Sequence, residues 1–402
     1  MSSAQERALR RYLATEVLAF SPYHRERLAP VWGDGGPADR AELARAPLTR
    51  LAEVPDAARL VLRPDWSSLG PARRRGQGGG DDVAHRFKPV HWALHAGTLV
   101  GSSAADLERL ADLGRRWLDL AGVEPHDVLV NVLPYGPSLA WWEVALGARR
   151  AGLSAIDLGA GPPPEQVARL RPSVLAGRPF DLVRLLEAAA AAGRPLEDVH
   201  TTLAVGEPLE AGLRARLAGL LRPGSAVVAA FAPPGVRALW GECRGGTSLH
   251  TWPDAEVVEL VDPLSGEPVP PGADGEVVWT ALGWRGTVLV RLCSGVFASL
   301  ETGPCPWCGT DTARLAVTPA TPAFLAGLDR HPGVAGWQAE LRTVAGLEEL
   351  VVFLAPAAGA ALAPLLADLD GELSATQYVV VDPAALQARI AASGDRRVLD
   401  RR

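Results

Sequence analysis

Length, composition and charge already limit the classes of protein that fit this sequence. The chain has 402 residues, of which 48% are hydrophobic, and it carries a formal net charge of −6. This length predicts two or three folding units with a sizeable core. The near-balanced charge gives no reason to expect nucleic acid or an anionic membrane as a partner.

No targeting or membrane segment is predicted. Three N-terminal arginines, Arg7, Arg10 and Arg11, are not followed by the apolar region of a signal peptide. No run approaches about 18 uninterrupted apolar residues, and four cysteines are too few for a disulfide scaffold in a chain this long. We therefore expect a cytoplasmic protein.

The first hundred residues predict few regular elements. Residues 3–28 have helical periodicity, residues 60–64 are strand-like, and the Gly-rich residues 70–82 predict an exposed loop. His91 and His95 would share one face of a helix, but they lack the intervening glutamate of a metalloprotease motif. We interpret them as ordinary histidines.

Regular alternation begins near residue 104 and predicts an α/β fold. Apolar strands are predicted at 127–133, 154–158, 174–176 and 202–205, separated by helices at 106–121, 141–151, 180–192 and 211–221. Between residues 257 and 292 the helices stop, and short β-rich runs predict a small barrel or meander. A Pro/Thr-rich segment, 318–322, is typical of a linker before a final alternating region.

Cysteine and histidine spacing predicts a metal site. Cys305 and Cys308 are separated by two residues and followed by a glycine, which lets both sulfurs face one tetrahedral ion. Cys243 and His250 lie upstream and complete a Cys3His set suited to structural zinc. A redox pair or two buried thiols would have the same CxxC spacing, and Cys243 and His250 could be unrelated to it.

Several segments share one family resemblance: the Glu242–Arg314 region, FSPYHRERL (20–28), NVLPYG (131–136), VLAGRPFDLVRLLEAAAAAG (174–193), AVGEPLEAGLR (204–214) and GDRRVLDRR (394–402). The resemblance is to the phenylacetate-CoA ligase family of adenylate-forming enzymes. It implies a large N-terminal domain, residues 1–317, of α/β layers plus a small β-barrel with the zinc knuckle. It implies a small C-terminal α+β cap at residues 318–402. Zinc is structural in that family, which activates a carboxylate with ATP and Mg²⁺ and then transfers it to CoA.

The same resemblance indicates candidate pocket residues and several departures. The pocket candidates are Tyr135, Gly136, Gly206, Glu207, Phe231 and Arg291. The phosphate loop is replaced by KPVHWALHAGTLVGSS (88–103), the Mg²⁺ glutamate segment by FAPPG (231–235), the ribose aspartate by Val296, and the adenylation lysine by Asp395. Preorganised donors and charges are needed for this chemistry.

Two hypotheses about function follow from these departures. In the first, the chain is a pseudoenzyme that binds a small carboxylic acid, an acyl thioester or a partner protein. In the second, it is an active ATP-dependent acyl- or aryl-CoA ligase or acyltransferase that uses replacement residues with ATP, Mg²⁺ and CoA. No catalytic residue is assigned under the first hypothesis.

Overall fold

A large mixed sheet organises most of the chain. The computed structural model describes residues 2–54, 56–64, 80–95, 98–136, 139–318, 325–344, 347–373, 377–393 and 397–401. Within these ranges an eleven-stranded sheet has the order β10-β11-β12-β13-β9-β8-β7-β6-β5-β3-β4. The α/β fold class expected from the sequence is confirmed by this architecture and by the structural comparisons given below.

The parallel half of this sheet contains five strands with helices between them. The strands are β3 (Val128–Asn131), β4 (Ser154–Asp157), β5 (Val174–Gly177), β6 (Thr201–Val205) and β7 (Ala226–Phe231). The intervening helices are α6 (Ala104–Leu120), α7 (Leu139–Ala151), α8 (Pro164–Leu170), α9 (Pro179–Ala191) and α10 (Ala211–Gly219), with α6 immediately before β3. Every residue of β5 and β6 is buried, as expected of parallel strands that are covered on both faces.

The antiparallel half continues from β7 without a break. Its strands are β8 (Trp240–Gly241), β9 (Leu249–His250), β10 (Glu256–Val261), β11 (Gly275–Ala281), β12 (Leu292–Glu301) and β13 (Arg314–Val317). The sequence predicted a small barrel or meander here, and β10 to β13 form an antiparallel meander that, in the described strand order, extends the large sheet without closing. β8 pairs with β7 on one side and with β9 on the other. This pairing joins the antiparallel strands to the parallel half of the sheet.

Short helices pack at the N-terminus. They are α1 (Ser3–Tyr12), a π-helical turn (Leu13–Val17), α2 (Leu18–Phe20), α3 (Pro22–Trp32), α4 (Arg40–Ala44) and α5 (Gly80–Phe87). Ser21 interrupts the predicted helix because its extended backbone and side chain begin a new helix at Pro22. Residues 60–64 do not form the predicted strand, since Ala57–Leu60 is a 3₁₀ turn and only Val61 makes an isolated β-bridge.

Helices α6 and α7 cross at two glycines. A Cβ atom at Gly114 would lie 2.6 Å from the Glu143 carbonyl oxygen, and one at Gly147 would lie 2.7 Å from the Gly114 carbonyl carbon. Backbone therefore packs directly on backbone at this crossing, which no larger residue permits. None of the described helices is long and apolar enough to cross a bilayer.

The C-terminal region forms a second, four-stranded sheet. Its order is β16 (Gln377–Val380), β15 (Leu347–Pro356), β14 (Val334–Val344) and β17 (Val398–Arg401), flanked by α11 (Ala326–Arg330), α12 (Leu362–Leu373) and α13 (Pro383–Ala392). Leu328 and Trp337 share one apolar core with Phe180 of α9 and Leu217 of α10. The region predicted as a cap is therefore packed against the larger part through a continuous core. Most of the predicted linker, 319–322, lies outside the described residues.

Candidate metal centre and nucleotide-facing region

Four predicted metal ligands meet beside the antiparallel half of the sheet. Cys243 follows β8, His250 ends β9, and Cys305 and Cys308 lie in the turn between β12 and β13. Their ligand atoms all lie within 4.8 Å of one another. Because β9 pairs with β13, the turn before β13 is held next to His250.

The distances within this cluster fit a tetrahedral zinc ion. Cys243 Sγ lies 3.8 Å from Cys305 Sγ, and Cys308 Sγ lies 3.6 Å from His250 Nε2. Zinc bond lengths at the tetrahedral angle place two sulfurs about 3.8 Å apart and a sulfur and a nitrogen about 3.6 Å apart. Three thiols and one imidazole are also the donors that zinc prefers.

The local backbone explains how the turn presents both sulfurs. Gly309 has a φ of 73° and donates its N–H to the Cys305 carbonyl at 2.9 Å, which closes the turn. The Trp307 ring lies against Gly245, where an added Cβ would be 2.8 Å from it. Glycine is therefore needed on both chain segments that approach the cluster.

In this cluster, loss of the thiol protons is coupled to binding of a cation. Burial raises the pKa of the Cys243 thiol to about 11, with the neighbouring Cys308 and Cys305 adding to the shift. Burial lowers the pKa of His250, which keeps the imidazole neutral and able to ligate. Because three thiolates repel one another without a cation, these groups fit a site that a divalent ion completes.

The candidate pocket residues divide between the sheet edge and the interior. Gly136 follows β3, Gly206 follows β6 and Phe231 ends β7, so all three lie at the carboxyl edge of the parallel strands. Tyr135 is 72% exposed, and its ring centroid lies 4.7 Å from that of Trp141. The Gly136 carbonyl accepts the Trp142 indole N–H at 2.9 Å.

Glu207 is enclosed rather than open to solvent. Its side chain lies 3.8 Å from the Arg397 guanidinium, and the residue is only 7% exposed. Arg397 is itself buried, lies 2.6 Å from the Asp329 carboxylate, and rests over the Trp337 ring. At Gly206, whose φ is 103°, an added Cβ would contact the Ala140 Cβ at 3.8 Å.

Arg291 and Phe231 are buried in the protein interior. Arg291 lies 3.2 Å from the Glu259 carboxylate and donates to the carbonyls of Ala44 (2.6 Å) and Ala46. A buried guanidinium requires such an anionic partner, so Arg291 is placed with Glu259 rather than beside Glu207. Phe231 packs edge-to-face on Trp240, with ring centroids 6.1 Å apart.

A β-hairpin stands in the segment before α6. Its strands are β1 (His91–His95) and β2 (Thr98–Ser102), paired from His91↔Ser102 to His95↔Thr98. The two histidines therefore lie on a strand and not on one face of a helix. Of Gly97-Thr98, the pair most similar to a phosphate loop, Gly97 lies outside the described residues and Thr98 begins β2.

Asp106 already supplies a carboxylate to the N-terminus of α6. Its Oδ2 accepts the Ser103 backbone N–H at 2.9 Å, completing a capping box. The same carboxyl group accepts the backbone N–H of Arg285 (2.8 Å) and Gly286 (2.6 Å), and it lies 3.4 Å from the buried Arg237 guanidinium. This role was not predicted from the sequence, although Ser103-x-x-Asp106 before an apolar helix is a recognisable capping signal.

Two further departures are visible in the described residues. Pro233 and Pro234, which have no backbone N–H, begin the turn closed by Val236 N–H and the Pro233 carbonyl. Val296 lies on β12 with no polar side-chain atom. Residues 394–396, where the adenylation lysine is replaced, lie outside the described residues.

The sequence is similar to curated proteins that share one name, phenylacetate-coenzyme A ligase. No protein-family model matches the chain. Phenylacetate-coenzyme A ligase of Thermus thermophilus is 29% identical over 226 residues, covering 54% of this chain and 50% of that protein. The enzyme of the same name from Pseudomonas putida is 26% identical over 202 residues, covering 48% and 46% respectively. The chain thus spans about half the length of the curated relatives it matches.

Solved structures show the same fold over more of the chain. 2-Hydroxyisobutyryl-CoA ligase in the postadenylation state with 2-HIB-AMP has a TM-score of 0.73 at 20% identity, covering 99% of this chain and 89% of that one. Anthranilate CoA ligase with anthranoyl-AMP has a TM-score of 0.52 at 14% identity, covering 77% and 68%.

Proposed function

Since the chain is similar to phenylacetate-coenzyme A ligases and has the fold of adenylate-forming CoA ligases, we propose that it is a divergent relative that no longer forms adenylates. Its role is to bind a small carboxylic acid, an acyl thioester or a partner protein in acyl or aryl metabolism. Zn²⁺ on Cys243, His250, Cys305 and Cys308 is structural in this proposal and ties β9 to the turn before β13.

The observation that carries the proposal is the segment before α6. Adenylation requires backbone N–H groups and a helix N-terminus that are free to bind phosphate. Here the described residues on either side of 96–97 pair with each other as a hairpin. The N-terminus of α6 already holds the Asp106 carboxylate, which also accepts two N–H groups from residues 285–286. A triphosphate placed there would compete with a buried carboxylate for these N–H groups and for the Arg237 guanidinium.

The enclosure of Glu207 supports the same proposal. By the resemblance, the Gly206-Glu207 turn would lie beside the adenine. In this chain the carboxylate faces Arg397, which comes from the C-terminal region, and a Cβ atom at position 206 would already touch Ala140 of α7. A nucleotide would need to displace a buried ion pair, which costs several kcal/mol.

The packing of the C-terminal region against the larger part also supports the loss of adenylation. Adenylate-forming chemistry followed by thioester formation needs the cap to reorient, and such domain interfaces are usually modest and polar. Here Arg216 of α10 donates to the carbonyls of His331 (3.1 Å) and Val334 (2.7 Å), and Trp337 shares a core with α9.

Calorimetry and a pyrophosphate assay test the proposal. Zinc-loaded, folded protein is titrated with ATP and Mg²⁺ in the presence of a panel of aryl and fatty acids, with the Thermus thermophilus ligase as the positive control. We expect no saturable ATP binding and no pyrophosphate release. Micromolar ATP binding with pyrophosphate release would instead establish the alternative, an active ligase with replacement residues.

A further inference from the structure

A small pocket is lined by none of the residues predicted for the nucleotide pocket. It has a volume of about 290 Å³. It forms where the segment after the 3₁₀ turn Ala57–Leu60 meets the end of α5 and the start of β1. Its apolar lining includes Val61, Leu62, Pro89 and Trp92, and two cations, Arg63 and Lys88, also line it. A pocket of this size is at the small end of ligand sites.

The apolar side of this pocket is held in place by the surrounding structure. Val61 makes a β-bridge to Thr287, and the Leu62 N–H donates to the Gly286 carbonyl at 3.2 Å. The Trp92 ring lies over Gly101, where an added Cβ would be only 3.0 Å from it. Val61 and Leu62, which form the pocket floor, and Trp92, which forms its wall, are therefore held in position before a ligand binds. This lowers the entropy cost of binding.

The two cations leave a charge that a ligand can neutralise. Lys88 is the only lysine of the sequence. In the ranges that the structure describes, neither Lys88 nor Arg63 makes an ion pair with a carboxylate, and the Arg63 guanidinium donates to the Ala58 carbonyl at 3.4 Å. Lysine and arginine beside an apolar floor are suited to one anionic group attached to an apolar body.

The hairpin extends the apolar surface beyond the pocket. On its inner face Ala93 and Val100 are buried. On its outer face Trp92, Leu94 and Leu99 remain 43%, 44% and 49% exposed, although an outward strand face normally carries polar residues. Because Trp92 and Leu94 alternate along one strand and Leu94 pairs with Leu99, these side chains share one face that begins at the pocket wall.

We propose that this pocket binds a monocarboxylate with an apolar body. The carboxylate faces Lys88 and Arg63, the first part of the body lies on Trp92, and a longer chain continues over Leu94 and Leu99. This inference rests on the proposed function for a role in acyl or aryl chemistry, but it assigns a site distinct from the region around Glu207.

Calorimetry with octanoate and its neutral analogue octanamide tests the charge contact. The full chain is expected to bind octanoate saturably and octanamide at least about tenfold more weakly, since a charge-assisted hydrogen bond is lost. Lys88→Met should weaken octanoate binding about tenfold, whereas Lys88→Arg keeps the charge and should stay within about threefold. The matched control is Arg330→Met, which removes one exposed positive charge from α11 and should leave binding unchanged.

A second variant tests the chain contact. Leu94→Ser should weaken octanoate binding about threefold or more but leave butanoate binding unchanged, because only the longer chain reaches this residue. Octanoate binding that is equal in Lys88→Met and the unchanged protein would overturn the site. Absence of any carboxylate binding by folded protein would overturn it as well. Neither result bears on ATP binding or pyrophosphate release, which test the loss of adenylation separately.

Discussion

Cys308 is the exposed member of the metal cluster, so it can be replaced without disturbing the core. We expect Cys308→Ser to reduce zinc from about one ion per chain to a small fraction of that, because one of four ligands is lost. The melting temperature should fall by about 5 °C or more, since metal binding contributes directly to folding. Metal analysis and thermal unfolding measure both effects.

Cys293 is the matched control for that experiment. It is a partly buried thiol on β12 outside the four-residue cluster. Cys293→Ser should keep the full zinc content. A Cys308→Ser protein that retained both zinc and melting temperature would contradict the metal assignment.

Asp127 is a buried carboxylate that stabilises the folded chain through hydrogen bonds. Burial acts to raise the pKa of Asp127, but hydrogen bonds from the Glu124 backbone N–H, Ser173 and His200 outweigh it and hold that pKa below its usual value. A depressed folded pKa means that the stabilisation is complete above the unfolded pKa, about 4, and is lost as the pH falls through the lower folded pKa.

Asp127→Asn should therefore lower the free energy of unfolding by about 1–3 kcal/mol at pH 7. The difference from the unchanged protein should shrink as the pH falls below about 4, where Asp127 first takes up a proton in the unfolded chain, and vanish only below the lower pKa of the folded protein. Urea unfolding at several pH values measures this. Asp198→Asn is the control, because Asp198 pairs with Arg171 at the surface and such pairs contribute little. Equal losses in the two variants would argue against the buried network.

The clustering of the three cysteines with His250 could be predicted from the sequence, and the ion-pair partner of Arg291 could not. The Cys305–Cys308 spacing and the following glycine are local signals, and strand pairing between β9 and β13 brings His250 to them. Arg291 was expected in the pocket from its place in a resembling segment. Its guanidinium is instead held by Glu259, thirty-two residues away in the chain, which no local pattern indicates.

At the scale of elements, the α6–α7 crossing predicts that a glycine-to-alanine change lowers stability, whereas helix propensity alone predicts that it raises stability. Replacing a helical glycine by alanine usually stabilises by up to about 1 kcal/mol. Gly114→Ala should instead destabilise by more than about 2 kcal/mol, because its Cβ would lie 2.6 Å from the Glu143 carbonyl oxygen. Urea denaturation measures the difference.

Gly219 in α10 is the control, since a Cβ there has no heavy atom within 4 Å. Gly219→Ala should be neutral or stabilising. If both alanine variants had the same stability, the helices would not be in backbone contact.

The α/β alternation was predicted with nearly correct bounds, but the β1–β2 hairpin was not predicted. Buried parallel strands form continuous apolar runs, which are visible in any sequence. The hairpin has apolar residues on both faces, at Ala93 and Val100 inside and at Trp92 and Leu94 outside, so the usual alternation of polar and apolar residues is absent. Its pairing depends on tertiary contacts such as the bond from the Gly101 N–H to Thr287 Oγ1 at 2.8 Å.

At the scale of the whole molecule, Arg397 joins the C-terminal region to the larger part. Arg397→Met would leave the buried carboxylates of Asp329 and Glu207 without this cation, so we expect a loss of about 3–5 kcal/mol. Hydrogen exchange should become faster in α9 and β14, which the shared core holds together.

Arg401→Met is the control, because Arg401 is exposed and Glu340, which it pairs with at 3.4 Å, keeps Arg389 as a second cation partner. It should leave exchange in α9 unchanged. Unaltered exchange in Arg397→Met would mean that the apolar core alone fixes the C-terminal region.

The position of the C-terminal region could be predicted less well than its existence. The Pro/Thr-rich composition near residue 318 indicates a boundary, and alternation resumes after it. The apolar faces of α9, α10 and β14 look the same in sequence whether each covers its own sheet or a neighbouring unit. Only the tertiary structure reveals that Leu217 and Trp337 share one core.

The narrow connection between the two halves of the large sheet also has a mechanical consequence. Strands β8 and β9 are joined by a single residue pair, Gly241↔His250, and His250 is one of the four clustered metal ligands. Under a pulling force directed across this junction, the ladder itself offers very little resistance. With the proposed zinc ion bound, the load would pass to the coordination bonds, so the rupture force of the molecule would depend on the metal supply.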